Sequence, residues 1–223
     1  MSFNEAERRL DGLTAALERR LLVILAARTP AGVQPDHLTA LALLATFVAG
    51  AAYACSARDP RALHVVNACL ALNWLGDSLD GTLARYRHRT RPRYGFYVDH
   101  LCDGFGALFL LAGLALSGLM HPALAAGLLV AYYLLSIEIY LATYTVGVFQ
   151  ISLGPIGGTE LRLLLGGLNL LALRVPRVSA LGFDAGLFDL AALVAIPGLM
   201  GAVLVQGVRH GRHLARLERL DAC

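Results

Sequence analysis

Apolar residues follow two rhythms along this chain. In SFNEAERRLDGLTAALERRLLVIL, Phe3, Ala6, Leu10, Leu13, Leu17, Leu21 and Ile24 recur at three- and four-residue steps, the period that gathers apolar side chains on one helical face. Glu7, Arg8, Asp11, Glu18 and Arg19 occupy the opposite face, and Ser2 and Glu5 have capping-box spacing. Such a helix lies in a membrane interface instead of crossing it; partner docking through the same stripe is the alternative. Pro30, Gly32 and Pro35 in RTPAGVQPDHLT then break it.

After that break the rhythm gives way to continuous apolar runs. Leu38 to Ala57 is a twenty-residue stretch without charge, about the length of a helix that crosses a hydrocarbon core. Gly104 to Met120, Pro122 to Ile137 and Leu190 to Val208 are similar. The pattern predicts six membrane helices near 36–56, 62–87, 95–119, 122–148, 159–175 and 185–208. The fifth is weak. Its uncharged part, Leu163 to Leu173, is too short to cross unless it borrows flanking residues or re-enters. Pro197 is expected to kink the sixth. The predicted class is an all-α integral membrane protein with an N-terminal interfacial helix. Its divisions are a juxtamembrane helix (1–30), a six-helix domain (31–210) and a cytoplasmic tail (211–223).

Composition agrees. The chain has 223 residues, 57% hydrophobic and only 16% charged, with mean hydropathy +0.61, against roughly a quarter charged in soluble domains. All nineteen basic residues are arginine, which reads as coding bias and carries no mechanism. The arginines cluster at 8–28, 85–93 and 209–219. Six crossings put all three clusters on one side, as the positive-inside rule requires, with both termini cytoplasmic. The first thirty residues hold paired arginines and glutamates, not the short apolar core of a signal peptide. These features suit a bacterial inner membrane. Cys55, Cys69, Cys102 and Cys223 lack CxxC spacing and read as small apolar residues. Nothing in the pattern points to nucleic acid.

Against this apolar background, GDSLDGTLARYRHRTRPRYGFYVDHLCD holds Asp77, Asp80, Asp99 and Asp103. Ionisable groups in membrane segments usually line a cavity or pathway. Asp77 and Asp80 are three apart and Asp99 and Asp103 four apart, so each pair shares a helical face. The short arginine-rich turn between the two helices predicts antiparallel neighbours, with both pairs meeting at the cytoplasmic end of one cleft. Carboxylates so close cannot all ionise without counter-charge. Two divalent ions, magnesium or manganese by their all-oxygen donors, satisfy them, and a two-metal clamp suits phosphoryl chemistry. Structural carboxylate–arginine pairing is the alternative. Gly81 and Ala84 leave the same face open to a flat ligand, or to close helix packing.

The eight positions Asp77, Asp80, Gly81, Ala84, Arg85, Gly95, Asp99 and Asp103 resemble the signature of the CDP-alcohol phosphotransferases. Pro35-Asp36-His37-Leu38-Thr39 is similar to that family's entry into its first membrane helix. Two positions depart: the nine-residue gap between Arg85 and Gly95 is slightly long, and Asp36 stands where the family carries asparagine. The resemblance implies transfer of a phospho-alcohol from a CDP-alcohol to a hydroxyl acceptor, with release of CMP, in a lipid bilayer and commonly as a homodimer. It implies that Asp77, Asp80, Asp99 and Asp103 hold two Mg2+ (or Mn2+) ions. Asp103 would also be the general base, and Gly81, Ala84, Arg85, Pro35 and Thr39 would face the nucleotide.

Val98 to Asp103, VDHLCD, resembles the amino-alcohol branch, whose donor is CDP-choline or CDP-ethanolamine and whose acceptor is diacylglycerol. His100 would then assist Asp103. Glu138 and Glu160 favour a cationic headgroup, whereas Arg162 suits an acceptor phosphate. Tyr132, Tyr133, Tyr140 and Tyr144 offer cation–π faces or interfacial belts. The other arrangement is CDP-diacylglycerol with a small soluble alcohol of the inositol phosphate, glycerol phosphate or serine type. His121, His210 and His213 suggest no catalytic role. Two further readings are a divalent-cation transporter, which lacks a second carboxylate cluster to continue the path, and a silent scaffold, which the intact signature argues against.

Overall fold

The computed structural model describes residues 15–146, 157–175, 177–180 and 183–218. Residues 1–14 of the predicted interfacial helix, most of the glycine-rich segment before the fifth membrane helix, and Cys223 lie outside them. The described chain is helical: α1 Ala15–Arg28, α2 Pro35–Ser56, α3 Ala62–Tyr86, α4 Pro92–Ser117, α5 Pro122–Val146, α6 Gly158–Ala172 and α7 Leu187–Leu217. Proline at the first helical position starts α2, α4 and α5, where its missing N–H costs nothing. Gly118, at φ 73°, ends α4 in the left-handed conformation that glycine adopts without strain.

Two elements differ from expectation. Arg177–Ala180 (β1) and Phe183–Gly186 (β2) pair antiparallel, so a short hairpin precedes α7 where continuous helix and loop were expected. α7 also runs on to Leu217, through Arg209, Arg212 and Arg216, into the stretch read as a tail.

By length and composition, α2, α4, α5 and α7 can each cross a membrane. Their outward faces carry Leu44, Phe47, Leu116, Val194, Leu204 and Val205, each more than half exposed, an apolar surface suited to lipid. α3 is long enough but holds Asn67, Asn73, Asp77, Asp80 and Arg85, and α6 has only 15 residues.

α2 is the spine. A Cβ on Gly113 of α4 would lie 2.1 Å from the Gly50 carbonyl oxygen, and one on Gly76 of α3 would lie 2.6 Å from the Leu38 carbonyl oxygen. Glycine therefore lets both helices approach α2 backbone to backbone. This corrects the expected packing: α3 and α4 lie principally against α2, not against each other. The Arg87–Arg91 turn reverses the chain, while the glycine seams draw each helix onto the spine.

Away from the aspartates, Tyr53, Leu63, Val66, Leu114, Phe188 and Ala192 form one buried cluster. A polar chain crosses it: Tyr53 donates to Asn169 Oδ1 (2.9 Å), Asn169 Nδ2 donates to Asn67 Oδ1 (2.7 Å), and Asn67 Nδ2 donates to the Gly166 carbonyl (3.3 Å). These bonds fix the short α6 to α2 and α3, since a buried donor without a partner costs about 1–3 kcal/mol.

α1 docks on α3. Leu22 and Ala26 are buried with Leu79 and Leu83, while Leu21 and Ile24 of the predicted stripe stay exposed. Glu18 accepts from Trp74 Nε1 (3.0 Å), Ser78 Oγ (3.0 Å) and Thr159 Oγ1 (3.2 Å). Arg87 donates to the carbonyls of Val33 (2.5 Å), Thr29 (3.0 Å) and Pro30 (2.9 Å), tying down the link from α1 to α2.

Candidate active site

Because α3 and α4 flank α2, their aspartate-bearing ends stand apart and enclose a cleft with the N-terminus of α2 as its third wall. This cleft is bounded by Pro35, Asp36 and Thr39 of α2, Asp80, Gly81 and Ala84 of α3, Gly95, Val98 and Asp99 of α4, and Arg89, Arg91 and Tyr94 from the turn and the start of α4. Five of the expected site residues for nucleotide or metal on α2 and α3 therefore share one wall system: Pro35, Thr39, Asp80, Gly81 and Ala84. A Cβ on Gly81 would meet only the Arg85 guanidinium, at 3.4 Å, so this position opens into the cleft. Arg85 folds back along α3 and donates to Thr82 Oγ1 (3.2 Å).

The carboxylates form a partition. Asp80 is buried and accepts from Thr39 Oγ1 (2.6 Å) and from the Gly81 amide. Thr39 is thus both a cleft wall and a fixing point for Asp80. Asp99 lines the same cleft. Asp77 and Asp103 are not among the residues that line it. Asp77 accepts from Arg162 of α6 at 2.7 Å, and Asp103, which is exposed, acts electrostatically on Tyr132 and Tyr140 of α5. All four aspartates remain within electrostatic reach of one another, with Arg162 the cation that Asp103 senses among them.

The donor set fits a hard divalent ion: four carboxylates, presented in pairs from two helices. In this conformation, among the described residues, no three acidic, histidine or cysteine side chains are gathered tightly enough to hold one. Two of the four are already engaged: Asp77 by Arg162, and Asp80 by Thr39 and the Gly81 amide.

His100 packs against Phe96 and Tyr140, with ring centroids 4.2 and 5.0 Å away, and its Nδ1 lies 2.5 Å from the Phe96 carbonyl. Glu138 pairs with His210 of α7 at 2.7 Å. Glu160 closes the α6 N-terminus by accepting from the Gly157 amide (2.9 Å). Of the three residues expected at the headgroup, Arg162 is the one in contact with a signature aspartate.

Arg89, Arg91 and Tyr94 at the cleft were missed by the sequence reading, which assigned the arginines to topology alone. The signal available was Asp36. Arg91 pairs with this unusual carboxylate across the cleft mouth and stacks on Tyr94, its carbon 4.2 Å from the ring centroid. The hydrogen bond to Asp36 pushes the Arg91 guanidinium above its usual pKa.

A family model, CDP-alcohol phosphatidyltransferase, matches residues 33–203. No curated protein matches the chain.

Proposed function

Because the chain belongs to the CDP-alcohol phosphatidyltransferase family, transferases of substituted phosphate groups that build phospholipids from CDP-alcohols, we propose that its reaction takes place at the aspartate partition, with donor and acceptor on opposite sides. The observation that carries this reading is the cleft itself: Gly81 and Ala84 leave room on the wall that also holds Asp80 and Asp99, and Arg89 stands at its edge. A nucleotide diphosphate has the flat base and the negative charge for such a cleft.

In the proposed reaction Asp103 accepts the proton of the acceptor hydroxyl. The hydroxyl oxygen bonds to the phosphorus remote from cytidine, the bond from that phosphorus to the bridging oxygen breaks, and its electron pair leaves with CMP. Pro35, Gly81, Ala84 and Arg85 position the nucleotide, and Thr39 holds Asp80 in orientation. His100 steadies the Asp103 helix through its contacts with Phe96 and Tyr140. Members of the family use divalent metals. Two Mg2+ or Mn2+ ions held by Asp77, Asp80, Asp99 and Asp103 would offset carboxylate charge and polarise the pyrophosphate.

Six crossings complete the proposed topology. α6 spans about 22 Å at 1.5 Å per residue, short of the hydrocarbon core, and its flanks or local thinning make up the difference. α1 would lie at the interface, Leu21 and Ile24 toward lipid. The cleft and both termini would face the cytoplasm, the side of the arginine clusters, in a bacterial inner membrane. A homodimer is proposed from the family resemblance.

Tyr132 and Tyr140 near Asp103 favour a cationic amino-alcohol headgroup, with diacylglycerol as acceptor. Arg162 beside Asp77 favours the second reading, CDP-diacylglycerol with a small alcohol bearing phosphate. Purified protein with magnesium, a panel of CDP-alcohols and candidate acceptors is expected to release CMP and form a phospholipid from CDP-choline or CDP-ethanolamine with diacylglycerol, identified by mass spectrometry. Product from CDP-diacylglycerol alone would select the second reading. Manganese uptake into proteoliposomes, with no CMP released under any condition, would point to transport.

A further inference from the structure

We infer that Arg162 is an internal counter-ion that takes the place of a divalent cation at Asp77 and gives up that carboxylate when the cation binds. This rests on the metal site proposed above. Arg162 reaches from the second turn of α6 to α3 with two separate bonds: one terminal nitrogen donates to Asp77 Oδ2 at 2.7 Å, and Nε donates to Asn73 Oδ1 at 2.6 Å. The Arg162 side chain is 18% exposed and that of Asp77 36%, so the pair is only partly solvated.

The two carboxylates on α3 are treated differently. Asp80 is held by neutral donors, a hydroxyl and an amide, which leave its negative charge in place for an incoming ion. Asp77 is held by a full positive charge. Guanidinium and divalent cation repel one another across a single carboxylate, so each occupancy weakens the other. Without the ion, a partly buried Asp77 needs a partner, because an unpaired charge in such surroundings is costly. With the ion, that need ends. Asn73 gives the side chain a neutral anchor one turn from Asp77, so the guanidinium can pivot off the carboxylate without leaving the α3–α6 interface. Arg162 also acts electrostatically on Asp103, so its displacement would be felt at both ends of the partition.

The test uses full-length protein in detergent and Mn2+ as the probe, with free Mn2+ read by electron paramagnetic resonance. Arg162→Gln is expected to tighten Mn2+ binding roughly five- to tenfold, at the lower end of the usual coupling between two antagonistic interactions. Its melting temperature should fall below wild type in EDTA and recover to wild type at saturating Mn2+. An arginine that merely braces the helices would lower the melting temperature in both conditions, and that result, or unchanged or weaker Mn2+ binding, would overturn the inference. If Arg162→Gln does not fold, Arg162→Lys, which keeps the charge but loses the two-point grip, should show the same pattern at smaller amplitude, and its absence would count equally against it. Wild-type protein that binds no Mn2+ would overturn the metal site itself, a failure distinguishable from the loss of competition.

Discussion

Asp103→Asn is expected to cut CMP release by about a thousandfold, within the range general-base catalysis contributes, while leaving the protein folded. Asparagine keeps the size of the side chain but cannot take a proton or supply a full negative charge. Asp103 stands near Tyr132 and Tyr140, on the side where we propose that the acceptor hydroxyl binds. Removing its charge relieves repulsion with Asp77, Asp80 and Asp99 and gives up attraction to Arg162, so the melting temperature should change little. That combination separates a chemical role from a structural one. Wild-type turnover in the variant, measured as CMP release under saturating donor, would remove Asp103 from the mechanism.

The largest effect on stability is expected at Gly113. Even one carbon there would sit 2.1 Å from the Gly50 carbonyl oxygen and 2.8 Å from the Gly50 Cα. Both belong to helix backbone, which cannot rotate away as a side chain can, so α4 must lift off α2. Gly113→Val should therefore cost about 3 kcal/mol or more, the upper end of overpacking, read as a large fall in melting temperature in detergent. Gly106→Ala on the same helix provides the control: its Cβ would meet Thr46 at 3.5 Å, an ordinary contact, and stability should barely change. Gly81→Val should divide the effects the other way. Its added atoms enter the cleft, so thermal stability should stay near wild type while the nucleotide loses affinity. Collapse of Gly81→Val with Gly113→Val would mean that Gly81 packs the bundle and does not open it.

The starts of α2, α3, α5 and α6 and the acidic face were legible in the sequence because they depend on local rules, whereas the start of α4 and the end of α7 were not. Pro35 and Pro122 mark where helices begin, and the spacing of Asp77 with Asp80 and of Asp99 with Asp103 sets which side chains share a face; α4 begins at Pro92, ahead of the expected 95. The central position of α2 was not legible. Gly50, Gly76 and Gly113 mark close approach, but a glycine does not say which backbone will approach it. That choice separates α3 from α4 and produces a three-walled cleft in place of the expected two-helix interface. Pairings between distant segments were hidden for the same reason. Arg91 reads as a topology signal in the sequence but stands opposite Asp36 in the fold, and Arg162 reads as a phosphate partner but is placed by α6 on Asp77. In the hairpin, four-residue strands are too short for alternation to stand out in an apolar stretch.

The most direct measurement is anomalous diffraction from crystals grown with Mn2+ and a CDP-alcohol. A carboxylate-centred reaction predicts manganese between α3 and α4, within ligand distance of Asp77, Asp80, Asp99 and Asp103, with the nucleotide along Gly81 and Ala84. Manganese bound away from these aspartates, or nucleotide in the cleft with no metal at any of them, would contradict it.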